Sequence, residues 1–255
     1  MGDFHPEAHV KGFFGWSFTA LICNKNSATF TALSLFKIMR QMYKVFVENR
    51  PIIICEKNTF AFDSRLLFAE NIQSIEKEVF PLFEKNSPKT PIVLLTTDPG
   101  AEFKRLFAKY AMIYAAGGIV RKGEEFLFIK RFGKWDIPKG KLTKAEDPQA
   151  GAIREIEEEC GISNPEIEQF ICETYHTYRD NYKGKNKLTL KKTMWYGMTY
   201  GGDEELVPQE EEGITKVKWF KKSKLDKIRL NTYESILEVM DNYFGTTEDI
   251  LPKKR

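Results

Sequence analysis

The stretch from Gly140 to Ile162, GKLTKAEDPQAGAIREIEEECGI, constrains this chain more than any other. Its centre is a helix whose two ends are encoded locally. Asp147 is a good N-cap, Pro148 suits the first helical position, and Gly161 suits the left-handed residue that closes a helix. The helix so bounded is 148–160, about three and a half turns. Ala150, Ile153 and Cys160 make an inward face, with Ile156 beside it. Glu155, Glu158 and Glu159 stand at i, i+3 and i+4, so their carboxylates share one side. Like charges this close destabilise an isolated helix by roughly a few tenths of a kcal/mol per pair. Arg154 can pair with Glu158 one turn on, but one guanidinium does not neutralise three or four carboxylates.

A hard divalent cation does. Mg²⁺ favours oxygen ligands and leaves positions for water and phosphate oxygens, with Mn²⁺ as the alternative ion. Held this way, a cation offsets phosphate charge and lowers the pKa of bound water. The plainer reading is a solvated acidic face. The spacing, the glycine turn ahead of the helix and Glu146 favour the metal.

The remaining chain reads as two units and two ends. Residues 1–41 read as a disordered extension or a mis-assigned start, because Met39 and Met42 precede the first regular pattern. The apolar run Gly12–Cys23 is shorter than the ~20 residues a membrane span needs. It also lacks a cleavage signature. From Met42, Tyr43–Val47 alternates, Asn49-Arg50-Pro51 supplies a turn, and Ile52–Cys55 completes a hairpin. A helical pattern over Ile72–Phe83, a strand at Pro91–Thr97 and an Asp98-capped helix follow, making a small α+β unit at 42–110 of unknown role. From Ala111, strands are expected at Met112–Val120, Glu125–Arg131, Ile167–Tyr178, Leu188–Tyr200 and Lys216–Phe220. A last helix starts near Asn231, where Asn231 and Glu234 resemble a capping box and Ile236, Leu237, Met240 and Phe244 form the stripe. Residues 249–255 are a basic tail.

Composition excludes little. A net charge of +3 does not argue for a nucleic-acid partner. Cys23, Cys55, Cys160 and Cys172 show no zinc or disulfide spacing, which fits a reducing cytoplasm.

The motif is glycine, five residues, Glu146, seven residues, Arg154-Glu155-Ile156, one residue, Glu158-Glu159, one residue, Gly161-Ile162. It resembles the Nudix box at every defined position, and a chance match in this chain is below roughly one in a million. The resemblance implies an α/β fold: a Nudix-type α/β/α sandwich with a mixed sheet at 111–248, preceded by the small α+β domain. It implies a Nudix hydrolase, a metal-dependent pyrophosphohydrolase acting on acid anhydrides. Glu155, Glu158 and Glu159 are then metal ligands or base and Arg154 an orienting ion pair. Glu146 is a further ligand or an orienting residue, and the Lys139-Gly140 turn brings a backbone carbonyl to the metal. The family often recruits a carboxylate from a distant loop. Glu210, Glu211 and Glu212 are the candidates, with Glu211 and Glu212 preferred and an acidic surface turn as the alternative.

The box does not set the group attached to the diphosphate. His176 and Tyr178 at a strand end, Lys183, Lys185, Lys187, Lys191 and Lys192 beyond it, and Lys139 and Lys141 before the helix suit a long polyphosphate. Tyr178 and Trp195 are aromatics able to stack on a base, although one of Trp195 and Tyr196 belongs to the core. The combination looks like Nudix members acting on dinucleoside or diphosphoinositol polyphosphates. A solvated lysine hairpin is the competing reading. The expected partner is a small-molecule polyphosphate, without nucleic acid or membrane, and a homodimer is left open. Another nucleoside diphosphate derivative such as ADP-ribose, an RNA cap-removing hydrolase, and a non-catalytic ligand sensor are the other functions weighed. The sensor lacks room for a DNA-binding domain after Phe220.

Overall fold

The computed structural model describes residues 42–56, 67–85, 90–180 and 187–245. The expected extension at 1–41, Lys183, Lys185 and the basic tail lie outside them. The described chain is built on a sheet of eleven strands. In chain order these are β1 (Met42–Val47), β2 (Arg50–Glu56), β3 (Leu67–Glu70), β4 (Ile92–Thr96), β5 (Ala111–Lys122) and β6 (Glu125–Arg131). They continue with β7 (Lys134–Asp136), β8 (Lys139–Lys141), β9 (Glu166–Asp180), β10 (Lys187–Thr199) and β11 (Ile214–Lys221). The helices are α1 (Phe80–Lys85), α2 (Pro99–Leu106), α3 (Pro148–Cys160), α4 (Leu225–Arg229) and α5 (Glu234–Phe244).

The order across the sheet is β11-β6-β5-β10-β9-β1-β2-β4-β3. The sheet is mixed: β5 runs parallel to β10 and β1 parallel to β9, while β9 and β10 are antiparallel. Helix α3 packs Ala152, Ile156 and Cys160 on one face, against Ala116, Leu127, Tyr196 and Met198. Helices α4 and α5 pack Leu225, Ile228, Ile236, Val239 and Met240 on the other, against Ile119, Phe128 and Trp195. This is the expected α/β/α layering.

The sheet does not stop at the expected boundary near residue 110. β1 docks on β9 through Val45↔Tyr175, Phe46↔His176 and Val47↔Thr177, so β1–β4 extend the same sheet edgewise. Its core of Val45, Val47, Ile52, Ile54, Ile75 and Phe103 also takes in Leu190 from β10.

Several local expectations shift. The hairpin turns at Glu48-Asn49, both at positive φ (50° and 62°), instead of at Asn49-Arg50-Pro51. That pair gives a two-residue turn whose twist matches the strands. The pattern over Ile72–Phe83 becomes a π-helical turn (Ile75–Val79), capped by Ser74, that leads into α1. The capping box before α5 does not form. Asn231 instead donates to the Gly133 carbonyl at 3.0 Å, and the Glu234 N–H is taken by Asn49 Oδ1 at 2.8 Å. The buried stripe of α5 is Ile236, Val239 and Met240, with Leu237 and Phe244 only partly covered.

Candidate active site

Helix α3 has the bounds its caps dictate. Asp147 accepts from the Gln149 and Ala150 N–H groups at 2.9 and 3.1 Å, and Gly161 sits at φ 71°. Its inward face is rotated from the one read in sequence. Ala150 is exposed and Ile153 half-buried, while Ala152, Ile156 and Cys160 fill the core together with Gly151 and Glu159. Glu159 is therefore an acid on the buried side, 1% exposed.

What lets a carboxylate sit there is a fork in the sheet. β5 and β6 pair only at Arg121↔Phe126 and Lys122↔Glu125; beyond that, β8 takes up β5 and β7 takes up β6. A cavity of about 680 Å³ lies at this fork, lined on the helix side by Glu155, Glu158 and Glu159 and by Asp136, Lys139 and Gly140 from the β7–β8 segment. Glu159 accepts from the Lys139 backbone N–H at 2.8 Å. A Cβ on Gly140 would fall 1.7 Å from a Glu155 carboxylate oxygen, so any larger residue here would displace that carboxylate from its present place.

Arg154 organises the exposed side of the helix. It makes a two-pronged pair with Glu146 at 2.8 and 3.1 Å, and reaches Glu155 at 2.8 Å, Glu158 at 3.1 Å and the Lys141 carbonyl at 3.3 Å. The hydrogen bonds from Arg154 hold the Glu146 carboxyl down at about 2. Burial raises Glu155, and the neighbouring charges of Glu158 and Glu212 raise it further against the pull of Arg154. Burial pushes Glu159 up to about 7, against the opposing pull of Lys139. Ionising such acids is costly without a cation, and their all-oxygen donor set fits a hard one. Among the described residues no three His, Cys, Asp or Glu side chains stand drawn together as ready ligands. Arg154 instead bridges Glu155 and Glu158.

The opposite wall comes from the sheet. His176 and Lys191 face each other across β9 and β10, and both line the cavity, as does Tyr178, which stacks on His176 with ring centres 5.3 Å apart. Burial, then the charges of Lys191 and Lys139, lower His176 to about 4, leaving a neutral imidazole. Burial, then the charge of Lys139, lowers Lys191 to about 8. The Lys139 ammonium is engaged by Asp136 at 2.5 Å, so it is less available to a ligand than its position in sequence suggests. Asp136 itself went unmarked in the sequence, where only its place in the turn before Gly140 was visible.

A family model described as the NUDIX domain matches residues 112–240, which is 129 of the 255 residues. The chain belongs to the Nudix family. It is a Nudix hydrolase, a pyrophosphohydrolase. It is similar to an RNA pyrophosphohydrolase of Roseobacter denitrificans, 30% identical over 112 residues, covering 38% of this chain and 68% of that protein. Among solved structures it is similar to a C. elegans Ap4A hydrolase in a binary complex, at 23% identity and TM-score 0.40, over 52% of this chain and 95% of the other. The NUDIX domain of Shewanella oneidensis NrtR complexed with ADP ribose matches at 17% identity and TM-score 0.42, over 60% of this chain and 99% of the other.

In this Nudix hydrolase one glutamate of the acidic loop lines the cavity. Glu210–Glu212 form a single 3-10 turn that directs Glu212 to the cavity, where it pairs with Arg131 at 2.8 Å. Glu210 and Glu211 are not among the cavity residues. Lys187 is also absent from the lining, Lys192 pairs with Glu173 at 2.6 Å, and Lys141 lines the rim. Trp195 is 1% exposed and donates to Thr174 Oγ1 at 2.8 Å, so it is a core residue in the cavity wall, held there by its indole N–H. Phe132, 75% exposed at the rim, and Phe46 and Asn49 from the β1–β2 hairpin are lining residues that sequence reasoning missed.

No helix among the described residues is long and apolar enough to cross a membrane.

Proposed function

We propose that this Nudix hydrolase cleaves a pyrophosphate bond in a nucleotide carrying a polyphosphate chain, a dinucleoside polyphosphate first of all, with Mg²⁺ or Mn²⁺ as cofactor. One observation carries the reading: the α3 carboxylates and the His176–Lys191 pair line the same cavity, so acids and phosphate-binding groups face a single substrate.

Glu155, Glu158 and Glu159 would hold the cation, with the Gly140 backbone as a neighbouring oxygen donor. When bound, the cation offsets phosphate charge and eases deprotonation of water. The residues do the rest. Arg154 fixes Glu155 and Glu158 and is itself anchored on Glu146. Glu212, close enough in charge to raise Glu155, is the candidate distal carboxylate. Lys191 supplies positive charge to a phosphate, and neutral His176 donates through a ring N–H. A cytoplasmic setting fits the free thiols of Cys55, Cys160 and Cys172.

The test is a substrate panel with product identification in the presence of each metal. It comprises a tetraphosphate-bridged dinucleotide, ADP-ribose, nucleoside triphosphates, inositol pyrophosphates and, given the bacterial relative, a 5′-triphosphorylated RNA. Preference for ADP-ribose over every longer phosphate chain would refute the polyphosphate assignment.

A further inference from the structure

The β1–β2 hairpin lies outside the Nudix match at 112–240, yet it reaches the site. Phe46 on β1 is in register with His176 on β9, and His176 is in register with Lys191 on β10. Residues in register on neighbouring strands share a face of the sheet. Phe46, His176 and Lys191 therefore form one row across three strands, and all three line the cavity. With strands about 4.8 Å apart, Phe46 stands two spacings, about 10 Å, beyond Lys191.

The lining changes chemistry along this row. Lys191 and His176 are polar, whereas Phe46 is an apolar ring, 4% exposed, that belongs to the lining. Tyr233 and Ile236 add apolar lining from the start of α5. The hairpin fastens that helix at two points. Asn49 Oδ1 accepts from the Glu234 N–H at 2.8 Å, and the Lys44 ammonium pairs with Glu238 one turn further on. Asn49 stands at φ 62°, a backbone state that asparagine tolerates better than most residues. One two-residue turn thus both closes the hairpin and supplies the cap that α5 lacks in its own sequence, where Tyr233 makes no side-chain cap.

We propose that the β1–β2 hairpin is a specificity element of the substrate site: Phe46, with Tyr233 and Ile236, forms the wall that takes a planar heterocyclic base beyond the phosphates, and Asn49 holds the end of α5 that completes it. The proposal rests on the reading of His176 and Lys191 as phosphate contacts. Phe46 is a specificity residue that touches the substrate; Asn49 is a positioning residue that acts through α5.

The experiment measures binding to the full chain with Mg²⁺ by calorimetry, using two ligands that cannot be hydrolysed. One is α,β-methylene-ADP and the other is its base-free counterpart, methylenediphosphonate. Phe46→Leu keeps apolar bulk and removes the ring. It weakens the nucleotide about tenfold, the order expected for losing one aromatic contact to a base, and leaves methylenediphosphonate unchanged. Equal losses for both ligands, or no loss for either, overturn the assignment of Phe46. Asn49→Gly keeps the left-handed backbone and removes only the acceptor, whereas Asn49→Asp keeps both. Asn49→Gly weakens the nucleotide selectively and Asn49→Asp restores it; a glycine variant that binds like wild type overturns the positioning role. Lys191→Ala reports on the underlying reading by itself. If it leaves methylenediphosphonate binding intact, the phosphate contacts are misassigned, while the Phe46 comparison still decides whether the hairpin meets the base.

Discussion

Replacing Glu159 by glutamine should stabilise the metal-free protein and sharply reduce its activity, and the two effects share one cause. Glu159 is 1% exposed, and burial raises its carboxyl from 4.5 to about 7. An acid raised this far binds a proton more tightly in the folded chain than in the unfolded one. Native stability is therefore undiminished below pH 4.5, falls as pH rises from 4.5 to 7, and is lowest above 7. The full deficit is about 3 kcal/mol, at about 1.36 kcal/mol for each unit between the two values. Glutamine has nearly the same volume and keeps an oxygen for the Lys139 N–H, but carries no charge. The variant should gain up to about 3 kcal/mol at pH 8.5 in EDTA, or roughly 6–12 °C in Tm for a chain of this size. At pH 5 most of that gain should vanish. Hydrolysis with Mg²⁺ should meanwhile fall at least ~10²-fold, the scale of losing a central electrostatic group. Thermal unfolding of both proteins at the two pH values, with and without EDTA, gives the comparison. A variant no more stable than wild type at pH 8.5, or one equally stabilised at both pH values, would refute the reasoning from burial.

Other expectations follow from the same geometry. Lys191→Ala should reduce kcat/KM more on a tetraphosphate-bridged dinucleotide than on ADP-ribose, each sheltered charge-assisted contact being worth about 1.5–3 kcal/mol; equal losses would return Lys191 to a solvent-facing role. Arg154→Lys cannot bridge Glu146, Glu155 and Glu158 at once, so activity should drop roughly 10- to 100-fold with helix content unchanged by circular dichroism, and near-normal rates would show that the pairing is dispensable. His176 is held down at about 4 against 6.5, so between these values the unfolded chain binds more protons and the native protein loses stability as pH falls. His176→Gln should flatten that loss, measured as urea midpoints at pH 7 and 4.5, and an unchanged acid slope would exclude His176 as its source.

What could be read from the sequence was what neighbouring residues decide among themselves. Asp147, Pro148 and Gly161 terminate α3 by their own backbone preferences, so its bounds agree with the structure residue for residue. The spacing of Glu155, Glu158 and Glu159 placed them on one cavity wall. The inward face of α3 was less legible, because periodicity does not say that Glu159 would be buried and Ala150 exposed; the fork between β5 and β6 decides that. Helix α5 was misread at its start for a related reason, since its cap arrives from Asn49, 185 residues away in sequence. That Glu212 lines the cavity and Glu210 and Glu211 do not depends on the direction of a 3-10 turn, which three consecutive glutamates do not encode.

The pairing of β1 with β9 also sets an order of events during synthesis. β1 is complete at Val47, but its partner positions begin at Tyr175, 128 residues later. At about 5–20 residues per second the ribosome takes roughly 6–26 s to cover that distance. Over that interval β1 has only β2 beside it, with Val45, Phe46 and Val47 on an open edge. A nascent chain in that state is a natural client for a chaperone, and a fragment ending near residue 110 would never leave it. The converse cut, releasing 111–248 alone, bares the same edge of β9 in the finished enzyme. The hairpin and the rest of the sheet thus each cover an edge that the other would leave bare.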